Sequence, residues 1–86
     1  MEITRATVAG KLGAYLQHQL SLADLVAWAE TAMQEGEFAE HGFNAIRDVV
    51  ARIGVADVRA FGLAWDDCEE MLRQLGYQAR VSVMAA

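Results

Sequence analysis

The sequence predicts a mainly α protein: a compact bundle of about four helices with a short C-terminal β-strand. Three observations predict it. Apolar residues recur at spacings of three and four along successive stretches, the signature of amphipathic helices. Proline is absent, so nothing of that kind breaks the helical stretches. Only after Gly76 does the pattern change to strict alternation, the period of a strand.

The first helix is expected over roughly residues 5–19, with Val8, Leu12, Tyr15, Leu16 and Leu20 on one face. Ala6, Gly10, Gly13 and Ala14 form a stripe of small residues beside that face. Each glycine costs about 1 kcal/mol relative to alanine inside a helix. Two readings fit the stripe: close approach of another helix, or an irregular first turn. Ser21 opens the second helix, because Ser21-Leu22-Ala23-Asp24 has the form of a capping box with Asp in place of Glu. Leu22, Leu25, Val26, Ala29, Ala32 and Met33 follow on one face, and Gly36 is the expected stop. So short a connection makes the first two helices a hairpin.

A third helix is expected between Glu37 and Ile53. Phe43, Ile46, Val49, Val50 and Ile53 make its stripe, Phe38, Ala39 and Gly42 extend it backwards, and Gly54 ends it. Residues 55–63 read as irregular. The fourth helix starts near Ala64 to Asp66 and stops before Gly76, with Cys68, Met71, Leu72 and Leu75 facing inward. Asp66-Asp67-Cys68-Glu69 repeats the capping-box pattern, and acids suit the positive end of a helix dipole. Tyr77, Ala79, Val81 and Val83 then alternate with polar residues. A lone strand leaves its backbone groups unpaired. Its partner is expected to be residues 1–4, the same segment of a second chain in a homodimer, or a strand from another protein.

At 86 residues the chain is one small helical domain, 1–86. Twelve acidic against seven basic residues give a net charge of −5. That balance disfavours nucleic acid and anionic membrane surfaces, both of which call for clustered Lys and Arg. It suits a basic protein partner. The single cysteine cannot close an intramolecular disulfide. Residues 1–5 lack the basic and apolar stretches of a secretory signal, and no apolar run reaches membrane-spanning length. A cytoplasmic location is the default expectation.

No catalytic, cofactor or metal site can be assigned. Cys68 lies between Asp67 and Glu69, which would raise its pKa, and it shares the apolar stripe; it reads as a buried structural thiol. His41 has Glu37 four residues before it, but no further ligand completes a metal site, and His18 has no acid at helical spacing. Asp66, Asp67, Glu69 and Glu70 form the densest acidic cluster. Carboxylate catalysis needs a pocket that drives two pKa values apart, and a solvated helix start explains the cluster more simply. A contact surface for a basic partner is the functional alternative. Trp28 stands about 100° round its helix from the centre of the apolar stripe, and Trp65 sits at the entrance to the fourth helix. Each is either a residue at the core edge, the simpler reading, or an anchor for a partner.

The run Tyr15-Leu16 followed by Leu20-Ser21-Leu22-Ala23-Asp24-Leu25 resembles the opening helical hairpin of small acidic bacterial immunity proteins of the colicin D type. The resemblance extends from residue 15 to about residue 28. It implies a helical protein that blocks a nuclease toxin by occupying a basic active-site groove, and it assigns no inhibitory residue here. The expected function is therefore a non-enzymatic, acidic protein-interaction module, in its sharper form an inhibitor. Asp66, Asp67, Glu69, Glu70, Trp28 and Trp65 are the candidate partner-binding residues. The rival is a small homodimeric structural or regulatory protein joined through the 77–83 strand. An enzyme stands third.

Overall fold

Thr4 and Thr7 start the first helix by capping each other. The Thr7 backbone N–H donates to the Thr4 hydroxyl at 3.1 Å, and the Thr4 N–H donates to the Thr7 hydroxyl at 3.2 Å. Two orphan donors of the helix start are thus satisfied reciprocally, with threonine in the place usually held by Glu or Gln. The computed structural model describes residues 1–57, 62–79 and 83. In chain order the elements are β1 (Glu2–Ile3), α1 (Arg5–Leu16), α2 (Leu22–Glu35), β2 (Glu37–Phe38), α3 (Phe43–Gly54) and α4 (Trp65–Gln74). The mainly α bundle expected from the periodicity is the observed architecture.

Helix α1 stops at Leu16 rather than Gln19. His18 adopts a left-handed backbone, with φ 62°. Its N–H reaches the Tyr15 carbonyl at 3.1 Å, and the Gln19 N–H reaches Ala14 at 2.8 Å. This is the paired closure that usually employs glycine at the residue held here by histidine. The stripe of small residues faces open space at Gly10 and Gly13, where an added Cβ would meet nothing within 4 Å. Among the described residues no helix approaches closely there, so that reading of the stripe is set aside.

Ser21 caps α2 as expected, its hydroxyl accepting from the Asp24 N–H at 3.1 Å. The helix ends at Gly36, whose N–H still bonds the Ala32 carbonyl at 2.9 Å. Beyond it the chain leaves helical geometry. Residues 37–38 form β2, so the third helix does not extend back through Phe38 and Ala39. Gly42 sits in the left-handed region at φ 79°, which α-helix geometry forbids, and α3 begins only after it.

Strand β2 pairs in parallel with β1, Glu2 opposite Glu37 and Ile3 opposite Phe38. The Glu37 N–H donates to the Met1 carbonyl at 2.7 Å, and the Ala39 N–H to Ile3 at 3.0 Å. The N-terminal segment therefore has a partner strand in residues 37–38. Tyr77, Gln78 and Ala79 carry no strand. Residues 80–82 of the expected 77–83 strand lie outside the described residues, and Val83 is 91% exposed.

The core is a single cluster. Ile3, Val8, Leu12, Leu25, Ile46, Val49, Val50, Ile53, Cys68 and Leu75 are all fully buried. Removing one such Val, Leu or Ile side chain from water stabilises by about 1.5–3 kcal/mol. Helices α2 and α3 make the most extensive pairing, and α1 packs on α2, α3 and α4.

Helix α4 starts two residues earlier than its capping-box pattern suggests. Its N-cap is Ala64, and the Asp67 carboxylate accepts the Ala64 N–H at 2.9 Å. The Asp66–Glu69 frame is therefore displaced by the Ala64–Asp67 frame. The helix closes with Tyr77 N–H to Leu72 at 2.8 Å and Gly76 N–H to Arg73 at 3.0 Å, Gly76 taking φ 89°.

Arg5 links the two left-handed glycines. A Cβ at Gly42 would fall 2.8 Å from Arg5 Cδ, and one at Gly76 would fall 3.1 Å from Arg5 Nη1. The guanidinium thus lies by the C-terminus of α4, the negative end of that helix dipole. Among the described residues no helix is long and apolar enough to cross a membrane.

Candidate functional site

The turn between α1 and α2 and the start of α4 together wall an open groove. The left-handed closure at His18 turns the chain sharply, and the Ser21 cap starts α2 five residues after the end of α1 at Leu16. Tyr15 reaches across from α1, its hydroxyl donating to the Leu63 carbonyl at 3.4 Å, a long bond. Leu63 and Trp65 complete the far wall. The groove has a volume of about 610 Å³ and is lined by Tyr15, Leu16, His18, Gln19, Leu20, Ser21, Leu22, Leu63 and Trp65. None of these is a lysine, arginine or carboxylate.

The six candidate residues separate into three groups. Trp28 is half-buried on α2 and packs against the core, with Lys11 Nζ 5.6 Å from its ring centroid. It closes the edge of the core, and the cation over its face adds a modest attraction. Trp65 is 40% exposed and lies on the groove wall. The two tryptophans, equivalent as sequence candidates, occupy different environments.

Three of the four clustered acids have internal partners. Asp67, besides holding the Ala64 N–H, lies 3.7 Å from Arg52 Nη2. The same Arg52 nitrogen donates to the Gly62 carbonyl at 3.0 Å, so residues 62–64 are clamped to α3. Glu69 lies 3.8 Å from Arg73, and Glu70 pairs with Arg73 as well. These pairs are exposed, so each contributes little to stability, but they occupy the carboxylates. Asp66 is exposed and has no ion-pair partner among the described residues.

Cys68 is fully buried, and its thiol pKa is pushed up from 9.0 to about 11. Burial is the main cause, the Asp67 carboxylate adds to it, and Arg52 partly opposes it. A thiol so placed stays protonated and unreactive at neutral pH. His41 is exposed in the turn after β2, and Glu37 lies in that strand, so the two are not one helical turn apart. Among the described residues no group of three or more His, Cys, Asp or Glu side chains converges as a metal site would require.

The groove residues Tyr15, Leu16, Leu20, Leu22 and Leu63 were not among the sequence candidates. A signal for them exists: large apolar residues lie in and beside a five-residue helix connection, where a tight turn cannot bury them all. No protein-family model matches this chain, and the searches of curated proteins and of solved structures also returned no match.

Proposed function

We propose that the protein is a non-enzymatic interaction module that binds a basic protein partner, acting as an inhibitor does by covering part of that partner's surface. The observation that carries this reading is Trp65, a large aromatic side chain left 40% exposed at the head of an acidic helix. Exposed tryptophan supplies much contact area for little ordering cost, and it recurs at binding hot spots. Asp66 follows it, with no ion-pair partner among the described residues, in a chain of net charge −5. The remaining acids of α4 are half-neutralised by Arg52 and Arg73, which narrows the expected contact from the whole cluster to its N-terminal end.

The test begins with capture of a partner on the immobilised full chain, followed by affinity measured against ionic strength. Exposed charges are screened over about 10 Å at 0.1 M salt, so affinity should fall as salt rises, and the Asp66→Asn variant should flatten that dependence. Trp65→Ala should weaken binding at every salt concentration. An affinity indifferent to salt and to both substitutions would refute the proposal.

A further inference from the structure

Resting on that reading, we infer that Arg52 is the positioning residue for Trp65: its guanidinium, which does not line the groove, fixes the segment that presents the tryptophan. From Cys68 onward α4 is anchored by its buried residues Cys68, Met71, Leu72 and Leu75. Residues 62–65 have no such anchor, since none of them is buried. Side chains hold them instead. The Asp67 carboxylate accepts the Ala64 N–H, but Asp67 belongs to the same helix start and travels with Trp65. The Tyr15 hydroxyl reaches the Leu63 carbonyl only at 3.4 Å. Arg52 Nη2 donates to the Gly62 carbonyl at 3.0 Å, an ordinary length, and its charge strengthens that bond. The same nitrogen lies 3.7 Å from Asp67. One cation on α3 therefore touches the segment on both sides of Trp65.

The other end of the guanidinium shows that stability alone does not account for this arginine. Nη1 is buried and has no hydrogen-bond partner among the described residues. A buried donor left unpaired is costly, and an apolar side chain of similar length would avoid that cost. What only the guanidinium supplies is the contact with Gly62 and Asp67. Its effect is to hold Trp65 at the groove wall before any partner arrives. A contact side chain already in place loses less freedom on binding, so Arg52 contributes to affinity without touching the partner.

Amide and indole N–H spectra of the full chain test this without any partner, by comparison with Arg52→Met and Arg52→Ala. The methionine variant keeps apolar volume along the stem and discards the unpaired nitrogen, so the fold is retained; the alanine variant is the second measurement. Each tryptophan gives its own indole resonance, and Trp28, packed against the core, serves as the internal control. The Trp65 indole and the amides of residues 62–65 should shift and gain fast motion, while the Trp28 indole and the α2 amides stay in place. Arg52→Lys, which keeps a cationic donor, should restore Trp65 most of the way. A Trp65 indole that stays put in the folded variants, or moves no more than Trp28, would overturn the inference. Affinity for the partner captured as above separates it from the reading it rests on. Arg52→Met should weaken binding about two- to tenfold, the cost of ordering one large side chain, and should add nothing once Trp65 is alanine. An equal loss in both backgrounds would mean that Arg52 touches the partner itself, against a positioning role. If Trp65→Ala binds as the parent does, the proposed function fails, and the spectra still decide what Arg52 does.

Discussion

Gly10→Ala and Gly36→Ala each add one methyl group, and their surroundings give them opposite effects. Gly10 lies inside α1, and an added Cβ would meet nothing within 4 Å. The substitution then acts through helix propensity alone, for a gain of about 0.5–1 kcal/mol. In a domain of this size that raises Tm by about 2–8 °C. Gly13 has equally open space and should behave in the same way. At Gly36 the new Cβ would sit 2.6 Å from the Ala32 carbonyl oxygen and 2.8 Å from Ile3 Cγ1. The carbonyl cannot swing aside, because it accepts the Gly36 N–H that ends α2. Ile3 cannot retreat without drawing β1 away from the core. Overpacking of this kind costs about 1–3 kcal/mol, offset by about 0.4–1 kcal/mol from a stiffer unfolded chain. The net expectation is a loss of about 1–2 kcal/mol. Urea unfolding followed by circular dichroism measures both, with the slope m unchanged if only stability is altered. A Gly10→Ala protein no more stable than the parent, or a Gly36→Ala protein equal to it, would refute this account of α1 and of the α2–β1 contact.

Three further outcomes are expected. His18→Gly should stabilise by about 0.5–1 kcal/mol because it removes the cost of a left-handed L-residue, whereas His18→Val should destabilise; equal urea midpoints for the two variants would contradict the observed α1 closure. Cys68 holds its proton more tightly folded than unfolded, so its contribution is intact below pH 9.0 and is lost as pH rises towards about 11. Urea midpoints across that interval should therefore fall more steeply for the parent than for Cys68→Ala, and parallel slopes would argue against a buried thiol. Glu37→Gln should stabilise by a few tenths of a kcal/mol at low salt, because Glu2 and Glu37 stand side by side in register and neither has an ion-pair partner among the described residues. That gain should vanish at high salt, and its persistence there would point to a cause other than charge repulsion.

The helices were legible wherever amphipathic periodicity was strong. Ile46, Val49, Val50 and Ile53 are all buried, as their spacing requires, and Ser21 caps α2 because serine before an apolar run has few better uses. The α4 start was legible only to within two residues, since an acid stands three positions after both Ala64 and Asp66. The β1–β2 pair escaped notice for a different reason: two-residue strands carry no detectable alternation, and their pairing joins segments far apart in sequence. The small-residue stripe on α1 shows the limit of spacing arguments. Glycine and alanine at helical intervals look alike whether they face a neighbour or solvent. For the candidate site, the Glu69–Arg73 and Glu70–Arg73 pairs follow from helical spacing and could have been read in advance. The Arg52–Asp67 contact could not, because it depends on how α3 and α4 meet.

The position of Arg5 bears on the order in which the fold can be completed. Its stem lies over Gly42 and its tip beside Gly76, so a residue from the first helix contacts segments made much later in synthesis. Ile3 is in the same situation, since its partner strand is residues 37–38. A chain growing from its N-terminus must leave both side chains unpartnered until those distant segments exist. The α2–α3 pair, built from residues closer together in sequence, can assemble before them. The N-terminal strand and first turn of α1 should then gain their amide protection late in refolding, together with the end of α4. A chain truncated ahead of Gly76 would lose protection at Ile3 and Arg5 as well as near the cut.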